Sequence, residues 1–243
     1  MYGIDLETAL TLEKSAGNER FLALDDMNPL RIVIADDHEL VRRGIRALVA
    51  TRPGWTIVAE AADGRDAVQI VHDMKPDVVV MDIGMPNLNG LDATRQIVAV
   101  VPQTRILILT MHHSEQIIRE VIAAGARGFL LKSDTGKELI HAIEALQNHR
   151  TFFATEAAEY ILEGYLSTHR TAEAVSKSVL TPREREVVQL LAEGKRTKEV
   201  AAMLSLSVKT AETHRTNIMR KLDIHSIADL TLYAVRNGLV RLF

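Results

Sequence analysis

The sequence predicts an α/β domain, a doubly wound five-stranded parallel sheet over residues 31–147, followed by an all-α helix-turn-helix domain over residues 179–243. Two observations predict the first domain: five short apolar runs rich in β-branched residues, and an amphipathic helical pattern after each of them. One observation predicts the second: beyond residue 179 only helical periodicity remains.

The first run, Ile32-Val33-Ile34-Ala35, precedes a helical pattern with Val41, Ile45 and Leu48 on one face. Thr56-Ile57-Val58-Ala59 precedes Ala67, Ile70, Val71 and Met74. Val78-Val79-Val80-Met81 precedes Leu91, Thr94, Ile97 and Val98. Ile106-Leu107-Ile108-Leu109 precedes Ile117, Ile118, Val121 and Ile122, and Gly128-Phe129-Leu130-Leu131 precedes Leu139, Ala142, Ile143 and Leu146. The shortness and β-branching of the runs suit strands covered on both faces. A helical stretch is expected over residues 154–166, then a polar linker over 167–178, so residues 148–178 read as a linker with one helix. Thr181-Pro182-Arg183-Glu184 carries the residues of a capping box with Pro at the first helical position. That helix stops near Glu193-Gly194; a short one over 198–204, a longer one from the N-cap Ser207 to about Leu222, and a last one ending before Gly238 complete the chain.

The 243 residues carry a formal charge of -3, distributed unevenly. Residues 1–30 have net charge -4, read as an acidic and flexible extension, whereas residues 179–243 have net charge +4. Nucleic-acid contact is therefore to be sought at the C-terminal end. The chain has no cysteine, which excludes a disulfide framework, a thiolate zinc site and a cysteine nucleophile. No apolar run approaches the ~18 residues that span a bilayer, and no secretory leader is visible. A cytoplasmic protein without membrane contact is expected.

The acids fall at informative places. Asp36 and Asp37 end the first strand and Asp82 ends the third, which brings three carboxylates to the same edge of the sheet. Like charges so placed call for a compensating cation, and oxygen donors suit a hard divalent ion such as Mg2+. Thr110 and Lys132 end the fourth and fifth strands. A metal, a free carboxylate, a hydroxyl and an ammonium around one point suit a phosphoryl group.

These residues, with the Asp82-Ile83-Gly84-Met85-Pro86 turn, Asn89-Gly90 and Gly128-Phe129-Leu130-Leu131-Lys132, make residues 31–146 resemble the flavodoxin-like receiver domain of two-component response regulators. The resemblance implies that Asp82 accepts a phosphoryl group from a sensor histidine kinase. It implies that Asp37, Asp82 and the Gly84 carbonyl ligate Mg2+ or Mn2+, with Asp36 acting through water. Thr110 and Lys132 would bond the phosphoryl oxygens, and Phe129 would be the aromatic switch residue. Ser133 stands where many receivers have a proline after a cis bond, and Met111 is larger than usual beside Thr110. A phosphatase working through an aspartyl phosphate needs a second acid two residues after its nucleophile; that position here is Gly84, so an enzyme is not expected.

The C-terminal pattern of short helix, turn and longer helix is a helix-turn-helix with a basic surface. Thr181-Pro182-Arg183-Glu184-Arg185-Glu186-Val187, Lys198-Glu199-Val200-Ala201 and Asn217-Ile218-Met219-Arg220-Lys221-Leu222 resemble the LuxR-type DNA-binding domain. With the receiver, the whole resembles a NarL/FixJ-type response regulator. By that resemblance Glu212, Thr213 and Thr216, with Lys209 nearby, read base edges in the major groove. Lys195, Thr197, Lys198, Thr210, His214, Arg215, Asn217 and Lys221 contact phosphates. Leu230, Tyr233 and Ala234 resemble a dimerisation surface, so the active form is expected to be a homodimer on double-stranded promoter DNA with two half-sites. A receiver used only as a phosphorylation-independent scaffold is the rival reading, and the intact Asp36, Asp37, Asp82, Thr110 and Lys132 argue against it.

Overall fold

The computed structural model describes residues 29–111, 114–153 and 179–240. Most of the acidic N-terminal segment and the expected linker helix over 154–166 lie outside the described residues.

The first domain runs β1 (Leu30–Ala35), α1 (Glu39–Val49), β2 (Trp55–Ala61), α2 (Gly64–Met74), β3 (Val78–Asp82), α3 (Gly90–Val100), β4 (Arg105–Thr110), α4 (Glu115–Ala123), β5 (Gly128–Leu131), α5 (Thr135–Gln147) and β6 (Phe152–Phe153). Local sequence sets the boundaries. Asp63 accepts from the amides of Arg65 and Asp66 at 2.7 and 3.0 Å and starts α2. Asn89 accepts from Asp92 N at 2.9 Å and starts α3. The strands pair in parallel in the order β2-β1-β3-β4-β5-β6. The order reverses at β1, so β1 and β3 flank the switch point where sites gather in such sheets.

Alternation along the strands divides the core. Val33, Val79, Met81, Ile106, Ile108 and Phe129 face α2, α3 and α4 through Ala67, Val71, Ile97, Ile118 and Val121. Ile32, Ile34, Val78, Val80, Leu107, Leu109 and Leu130 face α1 and α5 through Ile45, Val49, Leu139, Ile143 and Leu146.

The expected parallel sheet is present, and a short sixth strand extends it, because Phe152 and Phe153 add to β5 opposite Gly128 and Phe129. A two-residue strand is too short to show a period of its own. β2 is the sheet edge, so most of its residues are only half-buried, although α1 packs on one of its faces and α2 on the other.

The second domain packs α6 (Pro182–Ala192), α7 (Thr197–Met203), α8 (Val208–Leu222) and α9 (Ile227–Arg236) around Val187, Leu190, Leu191, Val200, Ile218, Leu230 and Ala234. The capping box forms as expected: Thr181 Oγ1 accepts from Glu184 N, and Glu184 accepts from Thr181 N at 2.8 Å. Ser207 caps α8 by accepting from Thr210 N at 3.0 Å.

Candidate functional site

β1 and β3 run side by side with Ala35 opposite Met81, so the next residues, Asp36 and Asp82, stand together where the strands end. Both are buried, at 1% and 0% exposure, while Asp37 remains open to solvent. Lys132 follows β5 and reaches across, its Nζ 2.7 Å from Asp36 Oδ2 and 3.1 Å from Asp82 Oδ2. The Lys132–Ser133 bond is trans, no cis peptide occurring among the described residues, and Lys132 opens a short 3-10 turn. Thr110 closes β4 opposite Leu131 and is buried beside this point. Phe129 is 2% exposed within the core face toward α4, whereas Met111 is 61% exposed.

Sequence reasoning missed His38. Its amide donates to Asp36 Oδ1 at 2.8 Å, and its Nδ1 lies 2.8 Å from Asp37 Oδ1. Ligand atoms of Asp36, Asp37, His38 and Asp82 all lie within 4.8 Å of one another. Three carboxylates against one ammonium leave an excess of negative charge at a pocket whose floor, Asp36 and Asp82, is buried, and that donor set fits a divalent cation. The loop that follows Asp82 is closely folded: Gly90 N donates to Ile83 O at 2.8 Å. A Cβ on Gly90 would stand 1.9 Å from the Asp82 carbonyl, so only glycine fits there.

On the second domain, Lys209, Thr210, Glu212, Thr213, Arg215 and Thr216 are exposed along α8, and His214 and Asn217 are half-buried. Lys198 is exposed at the start of α7; Lys195 and Thr197 are half-buried. Ala211 and Ile218 turn inward. Lys221 is engaged within the domain: its Nζ lies 2.7 and 2.8 Å from the two oxygens of buried Glu184. Burial opposes the charge of Glu184, yet the bonds from Lys221 and Thr181 prevail and hold its carboxyl below the ordinary range. A phosphate would have to compete with Glu184 for Lys221. The expected dimerisation residues need correction. Leu230 and Ala234 are both fully buried against α6, leaving their side chains no surface to offer. Tyr233 is half-buried; burial pushes its hydroxyl up, Arg185 pulls it down and Glu120 of α4 pushes it up. The exposed large apolar residues of α9 are Ile227 and Leu232.

The two domains meet through α6. Gln189, with no exposure, accepts from Asn89 N at 2.8 Å and from Asn89 Nδ2 at 3.1 Å. Its Nε2 donates to the Met85 carbonyl at 3.0 Å and to Glu193 Oε1 at 2.8 Å. Glu193 in turn accepts from Asn87 N at 3.1 Å. Arg185 holds Asp92 at 2.8 Å, and Glu186 accepts from Gln96 at 3.1 Å and lies 3.3 Å from Arg65. Sequence reading missed these residues. Their only signal is a polar stripe at helical spacing along α6, opposite Val187, Val188, Leu190 and Leu191, and such a stripe ordinarily faces water.

Comparison with known proteins agrees with both halves. Residues 32–144 match the response regulator receiver domain family, and residues 178–234 match the bacterial regulatory proteins of the luxR family. The chain is 37% identical over 216 residues to the oxygen regulatory protein NreC of Staphylococcus haemolyticus, covering 87% of this chain and 99% of that one. It is 35% identical over 211 residues to the transcriptional regulatory protein LiaR of Bacillus subtilis, again covering 87% of this chain and 99% of the relative. Among solved structures it is similar to RcsB of Salmonella enterica serovar Typhimurium bound to promoter rprA in the presence of the phosphomimetic BeF3-, with 28% identity, 85% and 98% coverage and a TM-score of 0.55. With an acidic pocket at the switch point of one domain and a helix-turn-helix in the other, the chain belongs to the NarL/FixJ-type response regulators, transcriptional regulators that join a receiver to a LuxR-type DNA-binding domain.

Proposed function

We propose that Asp82 is the phosphoacceptor and that its modification governs how the second domain engages promoter DNA. A carboxylate oxygen of Asp82 attacks the phosphorus of a phosphohistidine on a sensor kinase. The P–N bond breaks, and its electron pair stays on the imidazole nitrogen. Asp36, Asp37, Asp82 and the Gly84 carbonyl are the groups that would hold Mg2+ or Mn2+. When bound, that ion neutralises charge on the transferring phosphoryl oxygens. Lys132 turns from the two carboxylates to a phosphoryl oxygen, Thr110 donates its hydroxyl to another, and Phe129 packs against the space that Thr110 leaves. The protein acts in the cytoplasm on its own phosphoryl group and on DNA, with no turnover of an external substrate.

The observation that carries this reading is the convergence of Asp36, Asp82 and Lys132 within 3.1 Å contacts at the end of β1, β3 and β5. In the second domain, the exposed face of α8 carries Lys209, Glu212, Thr213, Arg215 and Thr216, which suits major-groove entry with phosphate contacts on either side. The DNA-bound relative supports that assignment. Two copies would bind two half-sites, paired in part through the exposed apolar residues of α9. The test is DNA binding and oligomeric state with and without acetyl phosphate and Mg2+. Acetyl phosphate should promote dimers and tighten binding in the wild type and do neither in Asp82→Asn; an identical response in that variant refutes the assignment.

A further inference from the structure

We propose that Gln189, a residue of the DNA-binding domain, is a positioning residue for phosphoryl acceptance in the receiver: it pins the loop that leaves Asp82 and so slows phosphorylation while the domains are docked. The inference rests on the phosphoacceptor reading of Asp82.

Only Ile83 and Gly84 separate Asp82 from Met85, whose carbonyl takes the hydrogen bond from Gln189 Nε2 at 3.0 Å. The same carboxamide takes the Asn89 amide at 2.8 Å on its oxygen. One buried side chain thereby ties both ends of the segment from Met85 to Asn89 to α6. Glu193, bound to the same Gln189 at 2.8 Å, takes the Asn87 amide at 3.1 Å between those ends. Gly84, whose carbonyl is assigned to the metal, immediately precedes the segment, and the acceptor lies two residues before Gly84.

Asp82 has no solvent exposure and Lys132 is 7% exposed across the pocket. A phosphodonor therefore reaches the carboxylate only when the surrounding segments part, and the segment continuous with Asp82 is the one held by α6. Breaking the hold costs the docked state the three hydrogen bonds that the buried Gln189 carboxamide makes to Met85 and Asn89, groups that are expensive to leave unpaired. Docking and phosphorylation thus oppose each other. By linkage, phosphorylation weakens docking by the same factor by which docking weakens phosphorylation. The rest of the interface, Arg185 with Asp92 and Glu186 with Gln96 and Arg65, fixes where α6 sits but touches α2 and α3 rather than the loop.

The test uses the full chain with acetyl phosphate and Mg2+, reading the phosphorylated fraction over time on a phosphate-affinity gel. Gln189→Leu should phosphorylate about fivefold faster or more, a typical coupling between sites. Asp82→Asn and the double variant should take no label. A Gln189→Leu rate equal to or below wild type, with Asp82→Asn inert, overturns the positioning role alone. Label persisting in Asp82→Asn overturns the phosphoacceptor reading beneath it. Should the leucine variant fold poorly, hydrogen exchange on the wild type decides: acetyl phosphate should release protection in residues 85–89 and 185–193 together, and unchanged protection in either segment refutes the coupling.

Discussion

Replacing Arg185 by alanine removes an ion pair between the domains that is shorter than the one joining Arg65 and Glu186, and its effect on docking can be worked from the structure. Asp92 is 3% exposed and is held by Arg185 Nη2 at 2.8 Å, Arg185 Nε at 2.9 Å and Arg95 Nη1 at 2.8 Å. Truncating one partner of a buried hydrogen-bonded charge pair costs about 2–5 kcal/mol, much of it the penalty of the charge left behind. Arg95 remains beside Asp92, so the loss belongs at the lower end, about 2 kcal/mol. Arg185 Nη1 also donates to Leu180 O at 3.3 Å, but that bond is internal to the second domain and cancels between docked and undocked forms. At about 1.4 kcal/mol per decade, the docking equilibrium should fall about thirtyfold. A docked fraction of about 99% would drop to about 75%. The chain has no cysteine, so spin labels on cysteines placed at exposed Thr51 and Asp223 report the interdomain distance without background. Pulsed EPR on Arg185→Ala should show a second, broader distance population, and Asp92→Asn should recover part of the loss because no charge is then stranded. A distance distribution identical to wild type in Arg185→Ala refutes the claim that this pair holds the domains together.

Two pH predictions follow from the carboxylates of α6. Glu184 has its carboxyl held below the ordinary range, so its contribution to stability is present above the ordinary glutamate value and is lost as pH falls through the lowered one. The stability gap between wild type and Glu184→Gln, measured by urea unfolding, should therefore be widest near neutral pH and close on acidification. Glu193 is the opposite case. Burial at the interface pushes its carboxyl up, against the bonds from Gln189 and Asn87 and the charges of Lys195 and Arg65. Its docked-state contribution is complete below the ordinary glutamate value and is lost as pH rises through the raised one, so docking read by the same EPR pair should strengthen on mild acidification, and Glu193→Gln should abolish that response.

The sheet and the acidic pocket were legible because each rests on a local rule. Asp36, Asp82, Thr110 and Lys132 each end a strand, and a parallel sheet sends every strand end to one edge, so register alone brings them together. Ser207 and the Thr181–Glu184 box announced their helices in the same local way. What stayed hidden depends on tertiary pairing. His38 joins the pocket only because the turn after β1 folds back on Asp36. Lys221 reads as a phosphate ligand by position along α8, but Glu184, 37 residues away, claims it. Leu230 and Ala234 show an apolar stripe that serves equally for a core and for a dimer, and only packing against α6 decides between them. Gln189 lies 100 residues from Asn89, and nothing periodic distinguishes a glutamine that meets water from one that meets another domain.

The position of the contact decides what kind of restraint it imposes. The receiver grips α6, while Lys209, Glu212, Thr213, Arg215 and Thr216 on α8 stay exposed in the docked form. Docking therefore leaves these side chains open to solvent and fixes the orientation of the face that the proposed function assigns to DNA. A single half-site needs only one such face, whereas two half-sites about one helical turn apart need two faces at a set separation and angle. On the proposed function, Arg185→Ala should leave affinity for a duplex carrying one half-site within about twofold of wild type, because its contacts to that duplex are unaltered. It should change affinity for a two-half-site duplex by a much larger factor, measured by fluorescence anisotropy at one fixed salt concentration, since phosphate contacts dominate the salt dependence. An equal change on both duplexes would mean that docking limits access to α8 after all, and the orientation argument would fail.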